Sequence, residues 1–135
     1  MIIDTGPLVA AANRSDPHNA ACQRLLRGAR GPLVVPALVV AEAGFLIERE
    51  LGPAAEAAFL RSLANDRFRV ESVTPVDLLR MADLVDQYAD LPLGATDSCV
   101  VAIAERLSET TIATLDHRHF TVVRPKHVAA LELLP

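Results

Sequence analysis

The stretch GATDSCVVAIAERLSETTIATLD, residues 94–116, decides the fold. Its first part, 94–107, has helical length and apolar residues on most faces, with one acid, Asp97, in the first turn. The second, 111–115, has the length and β-branched content of a strand, and Asp116 follows it directly. A helix that leads into a short apolar strand is half of a βαβ unit. Working outward, the rest of the chain repeats the pattern. Strands are predicted at 1–3, 33–35, 68–73 and 121–123, and helices at 17–27, 37–51, 53–64 and 75–88. Several of the helices open with Pro or a capping side chain. In Thr74-Pro75-Val76-Asp77 the threonine is a candidate cap with Asp77 at the third helical position. Strands separated by helices imply an α/β fold, a three-layer α/β/α sandwich around a mainly parallel sheet. With 135 residues and no repeat, low-complexity tract or linker, residues 1–135 are expected to form a single domain.

Composition adds bounds. An apolar fraction of 51% is high for a domain of this size, and helices 53–64 and 75–88 carry more Leu, Val, Ala and Met than one small core requires. That excess predicts a homodimer. Uncharged stretches are too short to cross a membrane and no basic leader opens the chain, so a cytoplasmic protein is expected. Cys22 and Cys99, in helical apolar surroundings, are expected to be buried and reduced. The net charge of -4 argues against general attraction to nucleic acid, unless bound cations offset it.

The acidic residues carry the chemical signal. Asp4 is the only charged residue among the first 13, Glu42 the only one in 31–47, and Asp97 the only one in 91–104. Burying an unpaired carboxylate costs several kcal/mol, so three such placements call for a cation or dense hydrogen bonding. Asp4 ends the first strand, Asp116 follows the 111–115 strand, and Glu42 and Asp97 lie in early turns of helices. All four therefore belong to the carboxyl rim of a parallel sheet, where open α/β sheets hold their ligands. Leu38, Glu42 and Phe45, at i, i+4 and i+7, are expected to share a buried stripe that aims Glu42 inward. Converging hard oxygen ligands suit Mg²⁺ or Mn²⁺ better than zinc, and phosphodiester hydrolysis is chemistry that uses them.

The set Ile3-Asp4-Thr5, Val40-Ala41-Glu42, Leu93-Gly94-Ala95-Thr96-Asp97-Ser98 and Ala113-Thr114-Leu115-Asp116, followed by Arg118-His119-Phe120, resembles the PIN-domain family. The likeness is greatest to the VapC-type toxins of toxin-antitoxin pairs and runs to about Pro125. It implies a PIN fold, a Mg²⁺- or Mn²⁺-dependent nuclease acting on structured RNA, a homodimer, and inhibition by a small VapB-like antitoxin. It also implies that Asp4, Glu42, Asp97 and Asp116 form the site, with Asp4 and Asp97 the usual metal contacts. The tail, 126–135, departs from the family pattern in having no glycine-bearing final strand, which leaves the last strand pairing open.

Each residue also has a plainer reading. Asp97 suits a helix cap, Asp4 a turn at a strand end, and Asp116 an ordinary turn. Thr5, Ser98 and Thr114 adjoin three of the acids and are candidates to orient them, or simply to pack. The pairs His18 with Cys22 and His117 with His119 suggest zinc on paper, but neither has two further ligands at a usual spacing. The two latter histidines are also the candidates for metal-free cleavage by the RNA's own 2′-hydroxyl. Arg14, Arg24, Arg27 and Arg30 read either as a solvated helix face or as phosphate contacts beside the acids, with Arg14, Arg24 and Arg27 the candidates for RNA. A dehalogenase-type phosphatase needs a second Asp where this chain has Gly6. A PIN nuclease that processes RNA or cuts branched DNA would keep the same acids, and a non-catalytic binding module would typically have lost one.

Overall fold

In chain order the computed structural model, which describes residues 1–135, has β1 (Ile2–Ile3), α1 (Thr5–Ala12), α2 (Asn19–Gly28), β2 (Leu33–Pro36), α3 (Ala37–Leu51) and α4 (Pro53–Ser62). It continues with β3 (Phe68–Glu71), α5 (Pro75–Gln87), α6 (Ala95–Leu107), β4 (Thr111–Ala113), α7 (His117–Val122) and β5 (Glu132–Leu134). The five strands form one sheet in the order β3-β2-β1-β4-β5, every neighbouring pair parallel. Ile2, Ile3, Leu33, Val34, Val35, Ile112 and Ala113 are all buried. That is the pattern of strands covered on both faces, and it explains why they read as continuous apolar runs rather than as alternations.

Right-handed crossovers then assign the helices. From β1 the chain moves through β2 to β3, which places α1 to α4 on one face. It then crosses by α5 and α6 to β4, on the other side of β1, which places that pair on the opposite face. The direction of winding therefore reverses between β1 and β4. A crevice opens there beyond the carboxyl ends of the strands, the usual ligand position of a doubly wound sheet.

The central helix is α6, whose residues 98–104 are all buried. Helix α5 packs beside it and is fastened by charge. Thr74 and Asp77 form the anticipated capping box. Asp77 also accepts from Arg106 at 3.0 Å, and Arg80 donates to both oxygens of Glu105 at 2.8 and 2.9 Å. The far side of α5 carries four apolar side chains in water, Val76, Leu78, Leu79 and Val85, interspersed with the exposed Asp83 and Asp86.

Three elements differ from expectation. Residues 121–123, predicted as a strand, close α7 instead; Asp116 caps that helix, and the Thr121 hydroxyl donates back to the His117 carbonyl at 2.7 Å. Local capping outweighs the weak strand preference of Thr-Val-Val. Only Asp4 separates β1 from α1, leaving no loop for the eye to find. The tail supplies β5, aligned through Thr111 with Glu132, Ile112 with Leu133 and Ala113 with Leu134. No helix is long and apolar enough to cross a membrane.

Candidate functional site

Asp4 leaves β1 at the point where the winding reverses. Its amide donates to the Ala113 carbonyl at 2.9 Å, tying it to β4. One carboxylate oxygen caps α1 by accepting from the Thr5 amide at 2.7 Å, and the other accepts from the Thr114 hydroxyl at 2.7 Å. The turn here is close-packed. A Cβ on Gly6 would stand 3.2 Å from the Leu115 Cβ, so the position where a phosphatase would carry its second Asp has little room for a side chain.

Thr114 also accepts from the Asp116 amide at 3.0 Å, so a single hydroxyl links two of the acids. Asp116 caps α7 through the His119 amide at 3.1 Å. The same turn brings the His119 ring Nδ1 to 2.9 Å from Asp97 Oδ2 and 3.1 Å from Asp116 Oδ2, a bridge between the third and fourth acids. Glu42, on α3, accepts from the Thr5 hydroxyl at 2.5 Å. All four acids line one cavity of about 650 Å³, together with Thr5, Gly6, Leu46, His117 and Arg118.

Electrostatics make this an anionic hollow. The Asp4 carboxyl is pushed up to about 6, first by burial and then by the charges of Asp97 and Glu42, with the Thr114 and Thr5 hydrogen bonds opposing. Asp97 is raised as well, by burial and then by Asp116, against the pull of His119. Two carboxylates held above their ordinary range mark a place where negative charge lacks a counter-charge. The donor set suits a hard divalent cation.

Glu42 reaches the cavity by a different route from the one its stripe predicts. It is exposed, as is Phe45, and the buried face of α3 is Val39, Ala43, Gly44 and Ile47. Thr5 and Thr114 contact the acids, whereas the buried Ser98 hydroxyl donates to the Ala95 carbonyl at 3.0 Å. The arginines read as RNA contacts stand elsewhere. Arg24 lines a separate cavity with Met1 and Thr111, at the amino ends of the strands. Arg27 donates to Gln23 on its own helix, and Arg14 follows the far end of α1 from Asp4. The cation that does line the acidic cavity is Arg118. Arg118 and His119 stood in the sequence only as part of the Arg118-His119-Phe120 motif and, for His119, as half of a histidine pair; their place at the acids was not read. The four-residue spacing of Asp116-His117-Arg118-His119, a cap and its third helical position, was the available signal.

A family model described as "PIN domain" matches residues 1–125. Ribonuclease VapC26 of Mycobacterium tuberculosis is 36% identical over 125 residues, 93% of this chain and 93% of the relative. The crystal structure of Mycobacterium tuberculosis VapC20, described as a sarcin-ricin loop cleaving toxin, superposes with a TM-score of 0.82. It is 19% identical and the match covers 87% of this chain and 90% of that one, a likeness of fold.

Proposed function

The chain belongs to the PIN-domain family, and from that premise we propose that it is a divalent-metal-dependent endoribonuclease, the toxin of a VapBC-type pair, cutting structured RNA in the cytoplasm. The observation that carries the reading is the gathering of Asp4, Glu42, Asp97 and Asp116 on one cavity at the switch point of the sheet. Asp4 and Asp97 would hold the cation, Mg²⁺ or Mn²⁺, with Glu42 and Asp116 completing the negative field. When bound, the ion supplies neutralisation of phosphate charge and a lowered pKa for attacking water.

The chain's own residues do the rest. Thr114 fixes Asp4 and the backbone of Asp116, and His119 spaces Asp97 from Asp116, so the carboxylates keep their aim. Arg118 stands ready at the cavity for a phosphate oxygen. Water attacks phosphorus, the P–O3′ bond breaks, and the departing oxygen takes a proton, leaving a 5′-phosphate and a 3′-hydroxyl. A carboxylate at the cavity accepts the proton that the water gives up. Incubated with purified ribosomal RNA and Mg²⁺, the protein is expected to yield a few discrete fragments with 5′-phosphate ends. Intact RNA, or a smear without preferred sites, would oppose the reading.

The same proposal includes a homodimer. Val76, Leu78, Leu79 and Val85 expose apolar side chains on the outer side of α5 beside Asp83 and Asp86, and an isologous contact would cover them on both copies at once. Leu79, 71% exposed, makes no demand on the fold of one chain. Leu79→Glu is therefore expected to leave the melting temperature of the single chain nearly unchanged and to convert a dimer to a monomer in light scattering at tens of micromolar. A wild-type monomer under those conditions refutes the pairing.

A further inference from the structure

Phe45 is 59% exposed, although the chain has only four Phe, one Tyr and no Trp. The other aromatic residues are placed to avoid water: Phe59 and Phe120 are buried, Phe68 is half-buried, and the half-buried Tyr88 hydroxyl accepts from the Arg124 amide at 2.9 Å. The exception lies on α3 beside the acids. At about 100° per residue, Glu42, Phe45, Leu46 and Arg49 fall within an arc of about 100°, and side chains three or four apart stand about 5–6 Å from one another. Two of these, Glu42 and Leu46, line the acidic cavity. The Arg49 guanidinium lies over the Phe45 ring, 5.7 Å from its centroid. Its nearest carboxylate, Glu50, is 3.7 Å away on an exposed side chain and holds it only loosely.

We propose that Phe45 and Arg49 form a stacking platform for one unpaired RNA base next to the scissile phosphate, and that this platform selects looped over paired RNA. The proposal rests on the ribonuclease reading above and names what that site recognises. Aromatic faces and guanidinium groups are the surfaces on which splayed bases of single-stranded loops stack, independently of their hydrogen-bonding edges. A duplex keeps its bases stacked on each other and offers none to the ring. The placement fits a phosphodiester substrate: Arg118 faces the backbone within the cavity, the acids stand at the phosphate, and the ring receives the base at the rim. An apolar side chain of a partner protein would satisfy the ring, but it would make no use of a guanidinium lying over it at the edge of an anionic hollow.

The test uses the whole protein and a stem-loop RNA that the wild type cuts in Mg²⁺. Phe45→Ala is expected to lower kcat/KM on that RNA by ~10- to 100-fold, the range of one lost base stack, with an unchanged melting temperature. Phe45→Trp is expected to retain cleavage. Because the chain has no Trp, that variant also carries a sole indole. Its emission is expected to be quenched by hexa-adenylate in Ca²⁺ well beyond the quenching of free N-acetyltryptophanamide. Cleavage by Phe45→Ala at the wild-type rate, or quenching no greater than that of the free indole, overturns the platform. A dimer that becomes a monomer on Phe45→Ala also overturns it, assigning the ring to a second copy of the chain. If the wild type cuts no RNA, the ribonuclease reading is what fails, and the quenching experiment still decides the platform.

Discussion

Asp4→Asn and Asp97→Asn are each expected to reduce RNA cleavage by more than about a hundredfold, beyond the ~10–100-fold typical of residues that only orient a metal ligand. Both substitutions keep the side-chain volume and remove the charge. Asp4→Asn has a second consequence that separates loss of chemistry from loss of fold. The Asp4 carboxyl sits at about 6 in the folded chain against 3.8 in the unfolded one, so the folded protein binds the extra proton between those values. Stability of the metal-free protein therefore falls as pH rises from about 4 to about 6, and the full cost, up to about 3 kcal/mol, persists above that window. Asn at position 4 removes the cost. In EDTA at pH 7.5 the inactive variant should melt several degrees above the wild type, and the gap should close near pH 4. A variant that cuts RNA at the wild-type rate sinks the site; one that melts lower at pH 7.5 shows that the Thr5 and Thr114 contacts outweigh the buried charge.

Chelation carries the other large effect. In excess EDTA cleavage is expected to stop, and to return with Mg²⁺ or Mn²⁺ but not with Ca²⁺, which is larger, tolerates looser geometry and activates water less. The rival chemistry is attack by the 2′-hydroxyl with histidines as acid and base. The structure places His119 between Asp97 and Asp116, engaged with both, while His117 lines the cavity. Fragments that end in a 2′,3′-cyclic phosphate, formed in the presence of EDTA, would move the chemistry to that pair and away from Asp4 and Asp97.

What could be read in advance, and what could not, divides along physical lines. The parallel sheet was legible because its strands are buried on both faces and so appear as unbroken apolar runs bounded by turns. That Asp4, Glu42 and Asp97 share one rim was legible because charge in apolar sequence is costly and therefore conspicuous, while Asp116 was placed there only by its position directly after a strand. The orientation of α3 was not. From Ala37 to Ile47 it is apolar on most faces, so the stripe through Leu38, Glu42 and Phe45 and the one through Val39, Ala43 and Ile47 are equally regular; only packing against the sheet chooses the second. Short elements escaped for want of a period. Helix α7 spans six residues, too few to display one, and its Thr-Val-Val end imitates a strand. The basic helix face of α2 was visible, but nothing in a linear pattern says which end of the sheet it will meet. It meets the amino end, at Met1 and Thr111, away from the acids.

Strand β5 escaped for a different reason. It joins the sheet through its main chain, its Leu134 carbonyl accepting from the Thr114 amide at 2.7 Å. That contact lies one atom-path away from the chemistry, since the hydroxyl of the same Thr114 holds Asp4. A brace written in peptide groups has no preferred spelling. Apart from Leu131, which is buried in the core, and Val128 and Leu133, which pack against it, the tail can drift in composition with little consequence at the acids, as long as its peptide groups still reach β4. Family resemblance should therefore fade soonest over these residues while dependence on them stays high: tolerant of substitution, intolerant of removal.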